Sequence, residues 1–416
     1  MRVTLSVICI CLSLALALPL DAYAWYSGSY QYCRKLTMTA GGNSGGVATT
    51  TTAGFALVAT STISTLAATS SSGRIYETST ASGTTTPVDV AITNGTDCNS
   101  ASGTLVDFYF EKYVTATGEF VLWAESSDIS STSAKTLLMY YGYPDSSATD
   151  ESDESGVFGA LGEEVVWNLH EDPSSAGSGG ILDSTANNID GTDNGSMTTS
   201  NLISGMVDGA FDFDGSNDYV ASAVAPGTTN VTISAWIRIA SAPGSNGGIA
   251  GFLSDLFGDA RKTLYVGTDG KLYFFTYDGA AKTTSAPAST IPLNSWVHVV
   301  GRANGATLKT YMNGAEVGSV ASGALADTYL FFVNGTSGSP ASNGHGYLNA
   351  DVDDVRVYTY GLHAMDILTI YNNTKNSSIF WTFGAEETQT PPALPGSPRY
   401  LRLGTLILLR GTLIIK

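Results

Sequence analysis

The residues able to do chemistry here are few, and their spacing is selective. Hydrolysis of a sugar on a strand needs two carboxyl groups on one face, one as acid and one as nucleophile, which period-two geometry supplies at alternate positions. Glu163-Glu164 lacks that spacing, and Asp351, Asp353 and Asp354 only approach it. The four histidines are His170, His298, His345 and His363. His298 alternates with Val297 and Val299, as a sheet residue does. Gly42-Asn-Ser-Gly-Gly46 has the G-x-S-x-G spacing but lies in a Gly/Ser/Thr turn segment followed by a Thr run, not in a strand-to-helix elbow, and no H-E-x-x-H, P-loop or G-x-G-x-x-G occurs. The sequence therefore assigns no catalytic residue.

Binding chemistry is better supplied. Calcium takes six to eight oxygens from carboxylates, amides and carbonyls on bendable loops. Asp183, Asn187, Asn188 and Asp190 lie on one such loop, which also reads as an Asx-rich turn needing no ion. Sugars pack their C–H faces on aromatic rings and need polar partners for their hydroxyls. Tyr273, Phe275 and Tyr277 share one face of the run Leu272–Tyr277. Trp236 and Arg238 lie opposite the aliphatic face of Val231–Ile239. These five residues are the candidate ligand platform, open if Leu272 and Phe274 point to the core and covered if both faces are buried. The loop Asn334–Gly346, with Asn343 and His345, is a second polar candidate.

The elements that must position these groups are strands. The chain has 416 residues and a net charge of −18, from 19 basic and 37 acidic residues. Only 13% of residues are charged, and Gly (46) and Tyr (21) are abundant. A hydrophobic content of 43% builds a core, which excludes a disordered polyanion. The acidic balance excludes nucleic acid as the default partner. Residues 1–24 read as a signal peptide: Arg2, an apolar run from Val7 to Leu20, and Ala22-Tyr23-Ala24 as the cleavage site. The run is too short for a transmembrane anchor. An exported chain retains Cys33 and Cys98, an even pair that favours a disulfide over two buried thiols.

Residues 25–144 read as one β-sandwich domain with strands at Tyr32–Met38, Leu105–Phe110, Glu119–Ala124 and Thr136–Tyr141. Residues 145–162 read as a solvated acidic linker carrying Asp150, Glu151, Asp153 and Glu154. Residues 163–386 form a second domain. Asp269-Gly270 and Asn313-Gly314 are its hairpin turns, and Ala364–Tyr371 is its helix, with Ile367, Leu368 and Tyr371 facing inward. Residues 387–416 join a Pro-rich spacer to an apolar tail suited to a sheet edge or to association between chains. Six N-x-S/T sequons, at Asn94, Asn194, Asn230, Asn334, Asn372 and Asn376, carry glycans only in a eukaryotic secretory pathway. The fold class is all-β, with antiparallel sheets packed face to face.

The second domain resembles the LamG-like jelly-roll family of the concanavalin A-like lectin and glucanase superfamily. The motifs run in the family's order. They are Val166-Trp-Asn-Leu-His170, Asp183-Ser-Thr-Ala-Asn-Asn-Ile-Asp-Gly191, Gly209-Ala-Phe-Asp-Phe-Asp-Gly-Ser-Asn-Asp-Tyr-Val220, Ile233-Ser-Ala-Trp-Ile-Arg238, Trp296-Val-His-Val-Val300, Tyr311-Met-Asn-Gly314 and Val352-Asp-Asp-Val-Arg-Val-Tyr358. Two departures stand out: Ala350 replaces a usual Gly, and His363 replaces the Ser that caps the helix. The resemblance implies that the two ends of the domain meet, so that Asp353 joins Asp183, Asn188 and Asp190 around a structural Ca²⁺. It places Asp351, Asp353 and Asp354 on a structural segment. The first domain is similar to a domain of unknown function that precedes such jelly rolls in microbial surface proteins, through Tyr32-Cys-Arg-Lys-Leu36 and Thr136-Leu-Leu-Met-Tyr-Tyr-Gly-Tyr-Pro144.

The expected function is a secreted or cell-surface, non-catalytic recognition protein whose jelly roll binds a glycan or an extracellular partner protein. The alternatives are a structural adhesion or envelope component, and a divergent glycoside hydrolase.

Overall fold

The computed structural model describes residues 26–27, 29–38, 54–76, 78–81, 84–99, 103–144, 148–176, 178–223, 230–253, 260–277, 280–322, 330–335, 345–389, 407–409 and 412–414. The signal segment, Asn343 and the Pro-rich spacer lie outside them.

The first unit contributes β1 Tyr32–Met38, β2 Phe55–Thr62, β3 Thr78–Ala81, β4 Thr84–Pro87, β5 Val90–Thr93, β6 Phe108–Val114, β7 Glu119–Ser126 and β8 Lys135–Tyr141. The second contributes β9 Glu163–Trp167, β10 Gly191–Asn194, β11 Leu202–Ser204, β12 Gly209–Asp214, β13 Tyr219–Ser222, β14 Val231–Ile239, β15 Gly247–Leu253 and β16 Ala260–Val266. It continues with β17 Leu272–Tyr277, β18 Ala281–Thr283, β19 Val297–Ala303, β20 Thr307–Met312, β21 Ala315–Ala321, β22 Leu330–Val333 and β23 Asn349–Tyr358. Four short helices are α1 Glu154–Val157, α2 Pro173–Ala176, α3 Ala364–Lys375 and α4 Ser377–Phe380, and the chain ends with β24 Trp381–Phe383, β25 Glu387–Thr388, β26 Ile407–Leu409 and β27 Thr412–Ile414.

The second unit is a jelly roll of two facing sheets. One runs β10-β13-β22-β15-β16-β17-β18, and the other β11-β12-β23-β14-β19-β20-β21 with β9 added to β23. Alternation packs Phe211, Phe213, Ile233, Ile237, Leu264, Leu272, Phe274 and Val352 into one core between them, each almost wholly buried. The Asn313-Gly314 turn joins β20 to β21 with both residues at positive φ (49° and 78°), as its dipeptide dictates. Phe213 pairs with Ala350 across β12 and β23, so the expected closure of the domain by the Asp353 segment is present.

Two boundaries differ from expectation. The first unit is a sandwich of β24-β1-β8-β5 against β2-β7-β6, so its outer strand comes from the far end of the chain. Met38 pairs with Trp381 and Leu36 with Phe383, while β25 pairs with the start of β1. Phe380 and Trp381 enter the first unit's core with Leu36, Phe55, Phe108 and Met139. Residues 376–386 therefore complete the first sandwich rather than the jelly roll, because β1 has one edge free after pairing β8.

The acidic segment is not a solvated spacer throughout. Asp153 caps α1, and Val157 and Phe158 are buried against Tyr109 and Trp123. Burying three apolar side chains, Val157, Phe158 and Leu161, outweighs the repulsion of exposed carboxylates nearby. Helix α3 runs four residues beyond its expected end at Tyr371. It buries Ile367 and Ile370 in the first unit's core, while Leu368 and Tyr371 stay half-buried. Asp366 accepts from the His363 N–H at 3.1 Å and so holds the start that His363 caps poorly. The tail forms a two-stranded hairpin, β26 with β27, and these strands pair with each other rather than with either sandwich. Cys33 and Cys98 form a disulfide.

Candidate functional site

Leu272 and Phe274 point into the jelly-roll core, so period two turns Tyr273, Phe275 and Tyr277 to the outer face of the seven-stranded sheet. Tyr265 joins them from β16, opposite Tyr273 in register and stacked on it at 5.3 Å between centroids. The four rings form a cluster separate from the core. Tyr273 and Tyr277 are half-buried and Phe275 is 7% exposed. His345 lies over the stripe, 4.0 Å from the Tyr265 ring and 5.8 Å from Phe275. Burial holds its imidazole down to about 4, so the ring is neutral at ordinary pH.

Polar groups flank the rings. The Tyr273 hydroxyl donates to Asp269 Oδ2 at 2.9 Å, which fixes the ring edge. Gly267 is needed beneath it, since a Cβ there would come within 2.8 Å of that ring. The result is a row of flat apolar faces with a carboxylate at one end.

Trp236 does not join this platform. It lies on β14, in the other sheet, and is 1% exposed beneath α3. Its ring packs on His298 and Tyr371, and its Nε1 donates to Thr374 Oγ1 at 3.0 Å. Alternation identified the outward face correctly but carried no sign of the helix that covers it. Arg238, two residues on, clears the helix: its side chain is 39% exposed, its Nε contacts Asp351, and its guanidinium lies 5.1 Å from the Trp296 ring. Trp296 had no place among the expected ligand residues, although it stands one residue before β19.

The Asp-rich loop is organised by backbone donors. Asp183 Oδ1 accepts from the N–H groups of Val166 and Thr185 at 2.9 and 3.1 Å. Its Oδ2 accepts from the Ile189 N–H and the Thr185 hydroxyl at 2.9 and 2.8 Å. Asp190 Oδ1 accepts from the Asp183 N–H, and the Asn188 side chain donates to the Ala186 carbonyl. Asp353 is held elsewhere, by the N–H groups of Met206 and Val207. Asp183 and Asp190 thus accept from donors of residues 166–189 and Asp353 from those of Met206 and Val207, while Asn188 is itself a donor. Among the described residues, no group of three or more His, Cys, Asp or Glu side chains is placed to hold a metal ion.

A polar seam that no sequence motif marks lies where the two sandwiches meet. Glu111 of β6 is 4% exposed, accepts from Trp123 Nε1, and lies 3.6 Å from His170 Nδ1. Arg356 of β23 is 1% exposed, pairs with Asp354 at 2.7 Å, and sits over the rings of Trp123 and Phe158. Burial pushes the carboxyls of Glu111 and Asp353 well above the usual range. Asn168 donates to the Tyr109 hydroxyl across the same seam. These groups are shut away from solvent, which suits them to holding the sandwiches together rather than to meeting a ligand.

Residues 214–368 match a family model described as the Concanavalin A-like lectin/glucanases superfamily, which covers less than half of the chain. The expectation drawn from the motifs is met over that segment. No curated protein matches the chain by sequence. Among solved structures, the binding domain of Paraclostridial Mosquitocidal Protein 1 is similar at 14% identity and TM-score 0.39, over 50% of this chain and 52% of that one. Domain 4 of AbnA, an extracellular arabinanase from Geobacillus stearothermophilus solved with arabinotriose, is similar at 15% identity and TM-score 0.39, over 51% of this chain and 98% of that domain. The botulinum neurotoxin serotype D binding domain is similar at 14% identity and TM-score 0.37, over 50% and 51%. The chain thus spans about half the length of two of these three structures. No helix among the described residues is long and apolar enough to cross a membrane.

Proposed function

We propose that this chain is an exported, non-catalytic recognition protein that binds glycans through its jelly roll. The carrying observation is the pair of part-exposed rings Tyr273 and Tyr277 on the outer face, set apart from the core and backed by the buried rings of Phe275 and Tyr265. Pyranose C–H groups pack on such faces, and Asp269 at the row's end accepts hydroxyl hydrogens. His345 narrows the row on one side and adds a neutral ring edge. The disulfide supports an oxidising, extracellular setting. The half-buried state of Tyr273 and Tyr277 suits stacking of a few sugar units rather than engulfment of one.

The test is a glycan array and affinity electrophoresis on the full chain, wild type against Tyr273→Ala/Tyr277→Ala. Binding falls in the double variant while the thermal midpoint holds. Unchanged affinity removes the platform, and reducing-sugar release from a polysaccharide panel replaces recognition with hydrolysis.

A further inference from the structure

The other sheet carries a second constellation. Antiparallel register sets Asp212 of β12 directly opposite Asp351 of β23, and Asp351 directly opposite Arg238 of β14. Trp296 extends the line, with its ring under the Arg238 guanidinium. Phe211, Phe213, Ile237 and Val352 alternate with these residues and fill the core, so all four lie on the outer face. Beyond α3 this face is open: Asp212 is exposed, and Asp351 and Trp296 are half-buried.

Two carboxylates directly across a ladder repel each other, which costs stability unless something else is gained. Arg238 relieves one of them through its Nε–Asp351 contact. At Asp212, partial burial and Asp351 raise the pKa against the opposing pull of Arg238. We propose that Asp212, Asp351, Arg238 and Trp296 form a second saccharide subsite, selective for uncharged sugars. This inference rests on the reading of the jelly roll as a glycan-binding module.

The charges set the selectivity. An anionic sugar meets two carboxylates against one guanidinium, on a chain of net charge −18. A cation meets the resident guanidinium over the only ring in the row. An uncharged polyol satisfies both ends: one hydroxyl donates to Asp212, its neighbour accepts from Arg238, and the C–H face rests against the Trp296 edge. The two subsites lie on opposite sheets, so one molecule would engage two glycan chains or two stretches of one chain.

The experiment is affinity electrophoresis of the full chain in gels containing laminarin, xylan, galactomannan or polygalacturonate. Asp212→Ala, a change at an exposed position, guards against unfolding, and Asp212→Ala/Trp296→Ala removes both ends of the row. Retardation by a neutral polymer is expected to weaken by about fivefold in Asp212→Ala and further in the double variant, with the thermal midpoint of Asp212→Ala held or raised as the carboxylate repulsion is relieved. Polygalacturonate retards none of the proteins. If Tyr273→Ala/Tyr277→Ala loses retardation while both row variants match wild type, the second subsite is overturned and the first stands. If no neutral polymer retards wild type, both are overturned. Preferential retardation by polygalacturonate overturns the selectivity and with it the subsite.

Discussion

The side-chain amide of Asn373 is hydrogen-bonded to the backbone of Val58 as a neighbouring strand would be. Its Oδ1 accepts from the Val58 N–H at 2.8 Å, and its Nδ2 donates to the Val58 carbonyl at 2.8 Å. Val58 lies on β2, whose free edge would otherwise bury an unpaired donor and acceptor under α3. One residue of the jelly roll's helix thus finishes the edge of the first sandwich. Asn373→Ala is expected to cost about 2–4 kcal/mol, because both backbone groups lose their partners without regaining water. Urea denaturation of the full chain measures this, and a change within error of zero would show that water reaches the edge.

The first sandwich is expected not to fold from residues 25–144 alone. That fragment lacks Phe380, Trp381 and β24, which pairs with the edge of β1 that β8 leaves open. Dispersed amide proton shifts from the fragment would refute this, and their appearance only after adding a peptide of residues 376–389 would support it.

His298 sets an acid-side slope. Burial, reinforced by Arg356, holds its imidazole down to about 3 from an ordinary 6.5. The unfolded chain takes up a proton near 6.5 while the folded chain does not, so stability falls as pH drops from about 6.5 toward 3. His298→Phe keeps a ring against Trp236 and Tyr371 and should flatten that slope. Thermal midpoints between pH 3 and 7 compare the two.

Glu111 acts in the opposite sense. Burial raises its carboxyl well above its ordinary value of 4.5, so the folded state holds a proton that the unfolded chain releases. Stability contributed at low pH is therefore lost as pH rises above about 4.5. Glu111→Gln retains a group able to accept from Trp123 and does not ionise. Its midpoint should fall less between pH 5 and 8 than that of wild type, and an equal fall would move the proton elsewhere.

The disulfide closes a separation of 65 residues within the first sandwich. Replacing Cys33 and Cys98 with Ala should cost about 4 kcal/mol by loop entropy. Denaturation of the double variant, beside reduced wild type, separates the lost cross-link from the lost packing of buried sulfur.

Much of the jelly roll could be read from residues alone. Val231–Ile239 alternates cleanly, and Asn313-Gly314 can do little but turn, so strand and hairpin follow from period and φ. The outward set of Tyr273 and Tyr277 followed from Leu272 and Phe274 in the same way. What escaped was contact made at long range. Trp381-Thr-Phe383 is three residues long, and its partner β1 lies at the other end of the sequence, so nothing local marks it as a strand. Trp236 looked open because alternation reports which side a residue takes, not what lies above it. Val157, Phe158 and Leu161 were hidden by the carboxylates before them, although three apolar residues so close together argue against a free spacer. Trp296 fell just outside a strand, where period-two counting stops.

A ribosome delivers β1 long before β24. Until Trp381 and Phe383 emerge, the hydrogen-bonding edge of Leu36 and Met38 stays unclaimed and the sandwich around it stays unfinished. Assembly of the first sandwich must therefore wait for the segment that carries β24, so the opening strands spend most of synthesis without a finished sheet to join.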